Sequence, residues 1–390
     1  MAEGVAVDTD FWGARADGVA ALERELARLR RVQSAHAREL VRPIARASVL
    51  NLIVYADREE HARRAARSVS DLALRHPSRA IVVLADRGPE RERHEQHIEM
   101  HCQLPIPDGA RQVCYEQILV RATGEVDDRL ASAIIPLLVP DLPVFLWWTG
   151  TPPLGSRSFA DLLRLTDRLI VDSADFARPD KTLAVISELS RNANPASRRK
   201  RFGLTDLNWT RLTPWREIAT AFFDVPSWRL FLDGITGLRV GFAVDMDGRD
   251  IHPSQALLLI GWLASRLGWQ GVDALAPSEA GGLLFTMANT DDKPSHVRVR
   301  PRFERGLDPG DMSGVRIQSR HENDLYEFVL KREPDPRHIT ASVLVNGEAR
   351  SRRVLPLPDP GMDELLREEL SIVGSDRVFE DALHALVALA

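Results

Sequence analysis

A chain of 390 residues, 44% hydrophobic and 27% charged, is globular and too long for one ordinary core, so two domains are expected. Its formal net charge of −5 excludes the generally basic surface of a nucleic-acid binder, and its two cysteines exclude a disulfide framework. The longest apolar run, Ala256–Ile260 and the Gly-Trp-Leu-Ala after it, reaches Ser265-Arg266 too soon to cross a bilayer.

The start, MAEGVAVDTDFWG, is acidic and lacks an apolar core, so no secretion signal is expected and the protein reads as cytoplasmic. Gly18–Arg42 follows as a helix with Leu22, Leu26 and Leu29 on one face, then Val49–Tyr55 as a strand. Asp57 stands three residues before Glu60, which predicts a capping box at the next helix. That helix carries Ala62, Ala65, Ala66, Val69 and Leu72 on one stripe and stops at His76-Pro77, before the buried-type strand Ala80–Ala85. Gln96–Leu104 alternates with a strict period of two, Pro105–Gln112 turns, and Val113–Val120 returns, predicting an antiparallel hairpin. Cys102 and Cys114 are expected to lie near each other across it, as free thiols in a reducing cytosol. Asp127–Leu138 reads as a helix that Pro136 kinks or ends.

Ile134–Ser173 is the stretch around which the first half is organised. Val144–Trp148 is an unbroken apolar run, Asp161–Thr166 a helix and Arg168–Val171 a second apolar run, together a βαβ unit with neighbouring parallel strands. Trp147 and Trp148 must point to opposite faces. One is expected under a helix, the other near the strand's C-terminal end, where such sheets meet ligands or partners. Lys181–Arg191 closes this half as a helix. The predicted class is α/β. Residues 1–195 form a Rossmann-like, mostly parallel sheet with helices on both faces, and residues 204–390 an α+β domain with an antiparallel sheet.

Asn192–Gly203, with the basic run Arg198–Arg201, reads as the linker; the alternative for that run is docking to an acidic partner. Beyond it, Gly237–Val244 is a strand, and Ser254 caps a helix that Gly268 stops after Leu267. From Gly282 to Leu357 short alternating runs predict an antiparallel sheet with one solvated face, and Met362–Ala390 returns to helix.

Catalytic patterns are missing. No G-x-G-x-x-G follows a strand, no phosphate-loop motif exists, and the turn after Val49–Tyr55 is bulky and acidic where a phosphate needs glycines. No cofactor is therefore expected. His94, His97, His101 and Cys102 resemble metal ligands, but on a strand Cys102 points away from His97 and His101, so no metal is expected either. The tryptophans say more. Seven of eight lie between Trp147 and Trp269, and Trp209-Thr210-Arg211 and Trp215-Arg216 repeat a Trp–Arg pairing. Core rings with stacked arginines are one reading; the other is a partner interface at Trp147, Trp148, Trp209, Arg211, Trp215 and Arg216.

The blocks PLLVPDLPVFLWWTG, LTDRLIVDS, DLNWTRLTPWRE and ALLLIGWLASRLGW, with HPSRAIVV and CYEQILV before them, resemble the glucose-6-phosphate dehydrogenase assembly protein family, OpcA. They run in order from about Leu50 to Trp269. The resemblance implies a non-catalytic partner that binds glucose-6-phosphate dehydrogenase and raises its activity in the oxidative pentose phosphate pathway. The reading it competes with is a sugar-phosphate-binding or hydrolytic protein using the sheet edge near Trp148, Asp172 and Ser173.

Overall fold

The structure, a computed structural model, describes residues 9–16, 19–39, 44–46, 48–73, 75–86, 94–103, 112–123, 130–191, 202–248, 251–278, 282–372 and 374–388. It divides into two compact units. One comprises Met1–Val171, Ala193–Thr205 and Met362–Ser375; the other comprises Asp172–Asn192, Asp206–Gly361 and Asp376–Ala390. Most of the predicted linker and of the Pro105–Gln112 turn, and all of Arg198–Arg201, lie outside the described residues.

The first sheet takes β1 (Thr9–Ala16), β2 (Ile44–Arg46), β3 (Leu50–Ala56), β4 (Ser78–Asp86), β5 (His94–Gln103), β6 (Gln112–Thr123), β7 (Val144–Trp148), β8 (Arg168–Val171) and β9 (Gly203–Asp206). Helices α1 (Val19–Glu39), α2 (Glu59–Leu72), α3 (Leu130–Ile134), α4 (Arg157–Leu165) and α5 (Pro179–Arg191) run between them. The strand order is β1-β5-β6-β4-β3-β7-β8-β9, with β2 beside β6. From β6 through β4, β3 and β7 to β8 every pairing is parallel, while β1, β5 and β6 pair antiparallel. This is the expected parallel sheet with a hairpin added. The hairpin register sets Cys102 opposite Cys114.

The apolar runs explain the middle of that sheet. Every residue of β3 and β7 is buried, so both faces of these strands are covered. α2 packs on β3 and β4 through Ala62, Ala65, Val69 and Leu72, and α4 packs on β7. The buried amide of Asn51 closes the neighbouring loop in both directions, donating to the Val139 carbonyl at 3.0 Å and accepting from its N–H at 2.8 Å. Pro136 does end a helix: α3 stops at Ile134 and a single 3₁₀ turn follows. The predicted capping box does not form. Arg58 is the N-cap of α2 and its side chain makes no cap bond, while Asp57 lies 3.5 Å from the His61 ring. One residue of extra loop moves Asp57 out of capping range.

The remaining elements are α6 (Leu207–Arg211), α7 (Thr213–Phe223), α8 (Pro226–Arg229), β10 (Ile235–Val244), α9 (Ser254–Leu267), β11 (Gln270–Gly271), β12 (Ala276–Pro277), β13 (Leu283–Ala288), β14 (Pro294–Phe303), β15 (Met312–His321), β16 (Asp324–Arg332), β17 (His338–Val345), β18 (Glu348–Pro356), α10 (Met362–Leu370) and α11 (Arg377–Val387). The second sheet has the order β11-β13-β14-β10-β15-β16-β17-β18, with β12 beside β13. It is not antiparallel throughout: β10 and β14 pair parallel in its centre. The helix between them in sequence, α9, supplies the crossover that a parallel pair requires.

α9 is buried without a break from Ser254 to Ala264, and it packs against α11 and β10. Gly268 ends it in the left-handed conformation at φ 65°, where a side chain is strained. Ser254 does not cap it. Pro253 holds that position, and the Ser254 hydroxyl donates instead to the Ser173 carbonyl at 2.8 Å. No helix among the described residues is long and apolar enough to cross a membrane.

Candidate functional site

In the first unit the two adjacent tryptophans are core residues, each 1% exposed. Alternation along β7 sends them to opposite faces. Trp148 stacks on Tyr55 of β3 with ring centroids 3.7 Å apart and meets Phe159 of α4 edge-on at 4.9 Å. Phe159 is placed by the helix start itself, since its N–H donates to the Ser156 hydroxyl of the N-cap. A second buried feature was not legible in sequence. Arg168, fully buried in β8, pairs with Glu369 of α10 at 2.7 Å and donates to the Gly374 carbonyl. Arg168 stands at the start of an apolar run, and nothing nearby in the chain announces a partner some 200 residues away.

In the second unit Asp172-Ser173, the end of LTDRLIVDS, and Asp206–Arg211, the start of DLNWTRLTPWRE, converge on one buried polar cluster. Asp172 and Asp206 each close a strand run and each caps the turn that follows. Asp172 accepts from the Ala174 N–H at 3.2 Å; Asp206 accepts from the N–H groups of Ser173 and Asn208, both at 2.9 Å. Arg211, one turn further along α6, grips Asp172 with two parallel bonds of 2.7 Å. Gln255 of α9 extends the network, donating to Asn208 at 2.8 Å and accepting from the Met312 N–H at 3.2 Å.

The electrostatics of the two carboxylates differ. Asp172 has its arginine, whereas Asp206 Oδ2 finds no hydrogen-bond partner among the described residues. Burial, and then the negative charge of Asp172, push the Asp206 carboxyl up to about 7 against the pull of the Ser173 hydroxyl and of the Ser173 and Asn208 N–H groups. The Arg211 guanidinium is held above its ordinary value: the Asp172 carboxylate outweighs the cost of burial.

The tryptophans of α6 and α7 are re-partnered relative to the sequence. Trp209 and Trp215 are each 2% exposed. Arg216 lies over Trp209, not Trp215, with its guanidinium carbon 3.4 Å from the ring centroid, and Arg332 of β16 covers Trp215 at 5.8 Å. Trp209 Nε1 donates to Asp376 at 3.0 Å, and its ring tilts against Phe379. Arg211, read as part of a Trp–Arg pair, is committed to Asp172. Of the six residues expected at an interface, the four rings pack inside their own units and the two arginines are half-buried. For β5 the backbone is described and the side chains of His94, His97, His101 and Cys102 are not; among the described residues no group of three or more metal-ligating side chains converges.

Comparison with known proteins gives a consistent picture. Residues 69–188 match the family model described as glucose-6-phosphate dehydrogenase subunit N-terminal domain, and residues 202–383 that described as its C-terminal domain. A protein of Nostoc punctiforme named "Putative OxPP cycle protein OpcA" is 28% identical over 324 residues, 81% of this chain and 66% of that one. The protein of the same name from Synechocystis sp. is 25% identical over 327 residues, 82% and 64%. The chain thus spans just under two thirds of the length of these two relatives. Among solved structures, levoglucosan dehydrogenase in complex with NADH and L-sorbose aligns over 88% of this chain and 97% of its own, at 12% identity and a TM-score of 0.47. At that value the likeness says nothing about activity.

Proposed function

The chain belongs to the glucose-6-phosphate dehydrogenase subunit family, and on that premise we propose that it is a non-catalytic cytoplasmic partner of glucose-6-phosphate dehydrogenase. In this reading it binds the enzyme, promotes its assembly and raises its activity allosterically in the oxidative pentose phosphate pathway. The observation that carries it is the match of both family domains, in order, over residues 69–188 and 202–383.

The first sheet supports a role without a nucleotide. At the end of β3, where a dinucleotide pyrophosphate would meet the start of α2, the chain places Asp57, Glu59 and Glu60. These carboxylates already occupy the positive end of the helix dipole, where a phosphate would otherwise sit, and Glu59 is paired there with Arg63 at 2.7 Å. The Trp–Arg motifs then serve the interaction indirectly, by holding α6, α7 and α11 in place beneath the surface that a partner meets.

The competing reading, a sugar-phosphate-binding or hydrolytic site at Trp148, Asp172 and Ser173, meets three buried side chains, 1%, 3% and 0% exposed. Asp172 is also bound by Arg211. The test is a binding titration of the purified chain with the dehydrogenase, beside an assay of each alone. The expected result is a complex of micromolar affinity or tighter and a raised rate of NADP reduction. No complex, or NADP reduction by this chain alone, overturns the reading.

A further inference from the structure

The open face of the second sheet carries a charge pattern that the reading above does not use. At one register across three adjacent strands stand Arg298 of β14, Arg239 of β10 and Arg316 of β15. Neighbouring strands lie about 4.8 Å apart, so the three guanidinium stems stand abreast within about 10 Å. In the next row on the same face are Arg300 and Lys331, with Gly241 and Gly314 between them, and Arg302 follows on β14. The row on the other side holds Glu327, the one carboxylate in these three rows, and Arg316 and Gln318 both bond it at 2.9 Å. Arg298, Arg302 and Lys331 are exposed, and no acidic side chain among the described residues pairs with Arg239, Arg298, Arg300 or Arg302. The Arg239 guanidinium is held below its ordinary value by burial first, and then by the charges of Arg300, Arg316, Arg298 and Arg302.

We propose that this face, formed by Arg239, Arg298, Arg300, Arg302, Arg316 and Lys331, is the docking surface for a carboxylate-rich face of a folded protein, which on the reading above is the dehydrogenase. Opposite potentials at close range recover the repulsion that the arginines bear in the free chain. Like charges set directly across strands are unfavourable until such a partner arrives. The face also mixes apolar side chains with its charges: Leu284, 39% exposed, stands opposite Arg298, and Val329 stands opposite Arg316. Arginine beside exposed aliphatic area is the composition of a protein interface.

Three other occupants fit less well. A second copy of this chain, paired face to face, would set arginine against arginine. A nucleic acid would be repelled by the rest of a chain whose net charge is −5. A small phosphate asks for donors converging on one point, whereas these are spread along two rows of a sheet opened by glycines.

The experiment compares the full-length chain with Arg298→Glu/Arg300→Glu, and with Arg157→Glu on α4 of the other unit as a charge control. Circular dichroism and thermal melting first establish that each is folded. Binding to the dehydrogenase is then measured at several salt concentrations. The expected result is that wild type and R157E bind alike, while the double variant binds at least about tenfold more weakly and with a flatter salt dependence. A folded double variant that keeps wild-type affinity and salt dependence overturns the docking surface and leaves the proposed function standing. A wild-type chain that forms no complex overturns both. Displacement of the dehydrogenase by millimolar inorganic phosphate, or retention of duplex DNA by wild type but not by the double variant at physiological salt, overturns the assignment to a protein face.

Discussion

Asp206 is the residue at which burial and charge are most in tension. A carboxyl raised to about 7 in the folded chain, against an ordinary 3.8, resists ionisation there more than in the unfolded chain. Its contribution to stability is therefore complete below about pH 4 and is lost as the pH rises through about 7. Asp206→Asn keeps an oxygen for the Ser173 and Asn208 N–H groups but cannot ionise. Denaturant melts across pH 4 to 8 are expected to show wild type losing on the order of a few kcal/mol that the variant does not lose, at about 1.4 kcal/mol per pKa unit. Parallel profiles would show that another group controls the region. Arg211 is the complementary case. Its removal leaves Asp172, 3% exposed, without its cation, and breaking a buried pair costs about 3–5 kcal/mol. Arg211→Ala is thus expected to lower stability first, seen as an earlier urea midpoint, and any loss of partner binding to follow from that. An unchanged midpoint would mean that water takes over the role of the guanidinium.

Between elements, the pair α9 and α11 depends on one small residue. A Cβ at Gly261 would lie 2.3 Å from the Ala382 carbonyl oxygen and 3.2 Å from Leu386 Cβ, so backbone must move to admit it. Gly261→Ala is expected to cost about 1–3 kcal/mol, as overpacking does, and to lower the thermal midpoint. Gly155→Ala, where nothing lies within 4 Å, is the neutral control. Equal midpoints for the two variants would mean that the helices separate freely. The other element-scale feature is the place of β14. Because α9 carries the chain over to make β10 and β14 parallel, three arginine-bearing strands become neighbours that are not consecutive in sequence.

For the whole molecule the proposed activation carries a thermodynamic obligation. A partner without catalytic groups acts only by preferring one state of the enzyme, and a coupling of about 1–3 kcal/mol gives about a 5–150-fold effect. If this chain tightens glucose 6-phosphate binding, the sugar phosphate must tighten the complex by the same factor. The complex's dissociation constant, with and without saturating substrate, should shift as the substrate affinity shifts; one moving while the other stays fixed would rule out the mechanism. Much of the fold was open to reading along the chain. Short apolar runs placed β3, β4, β7 and β8, period-two alternation placed β5, the turn after it implied the returning β6, and Gly268 marked the end of α9, because burial on one or both faces leaves a local pattern. The acidic turn after β3 was equally plain, since a phosphate loop is a contiguous motif. What the tertiary structure alone decided is which charges meet: Arg216 on Trp209, Arg211 on Asp172, Arg168 on Glu369, and Arg239 between Arg298 and Arg316. Hydrophobic periodicity is a property of one segment, whereas an ion pair or a charged face is a property of neighbours, and neighbours are set by strand order and crossover.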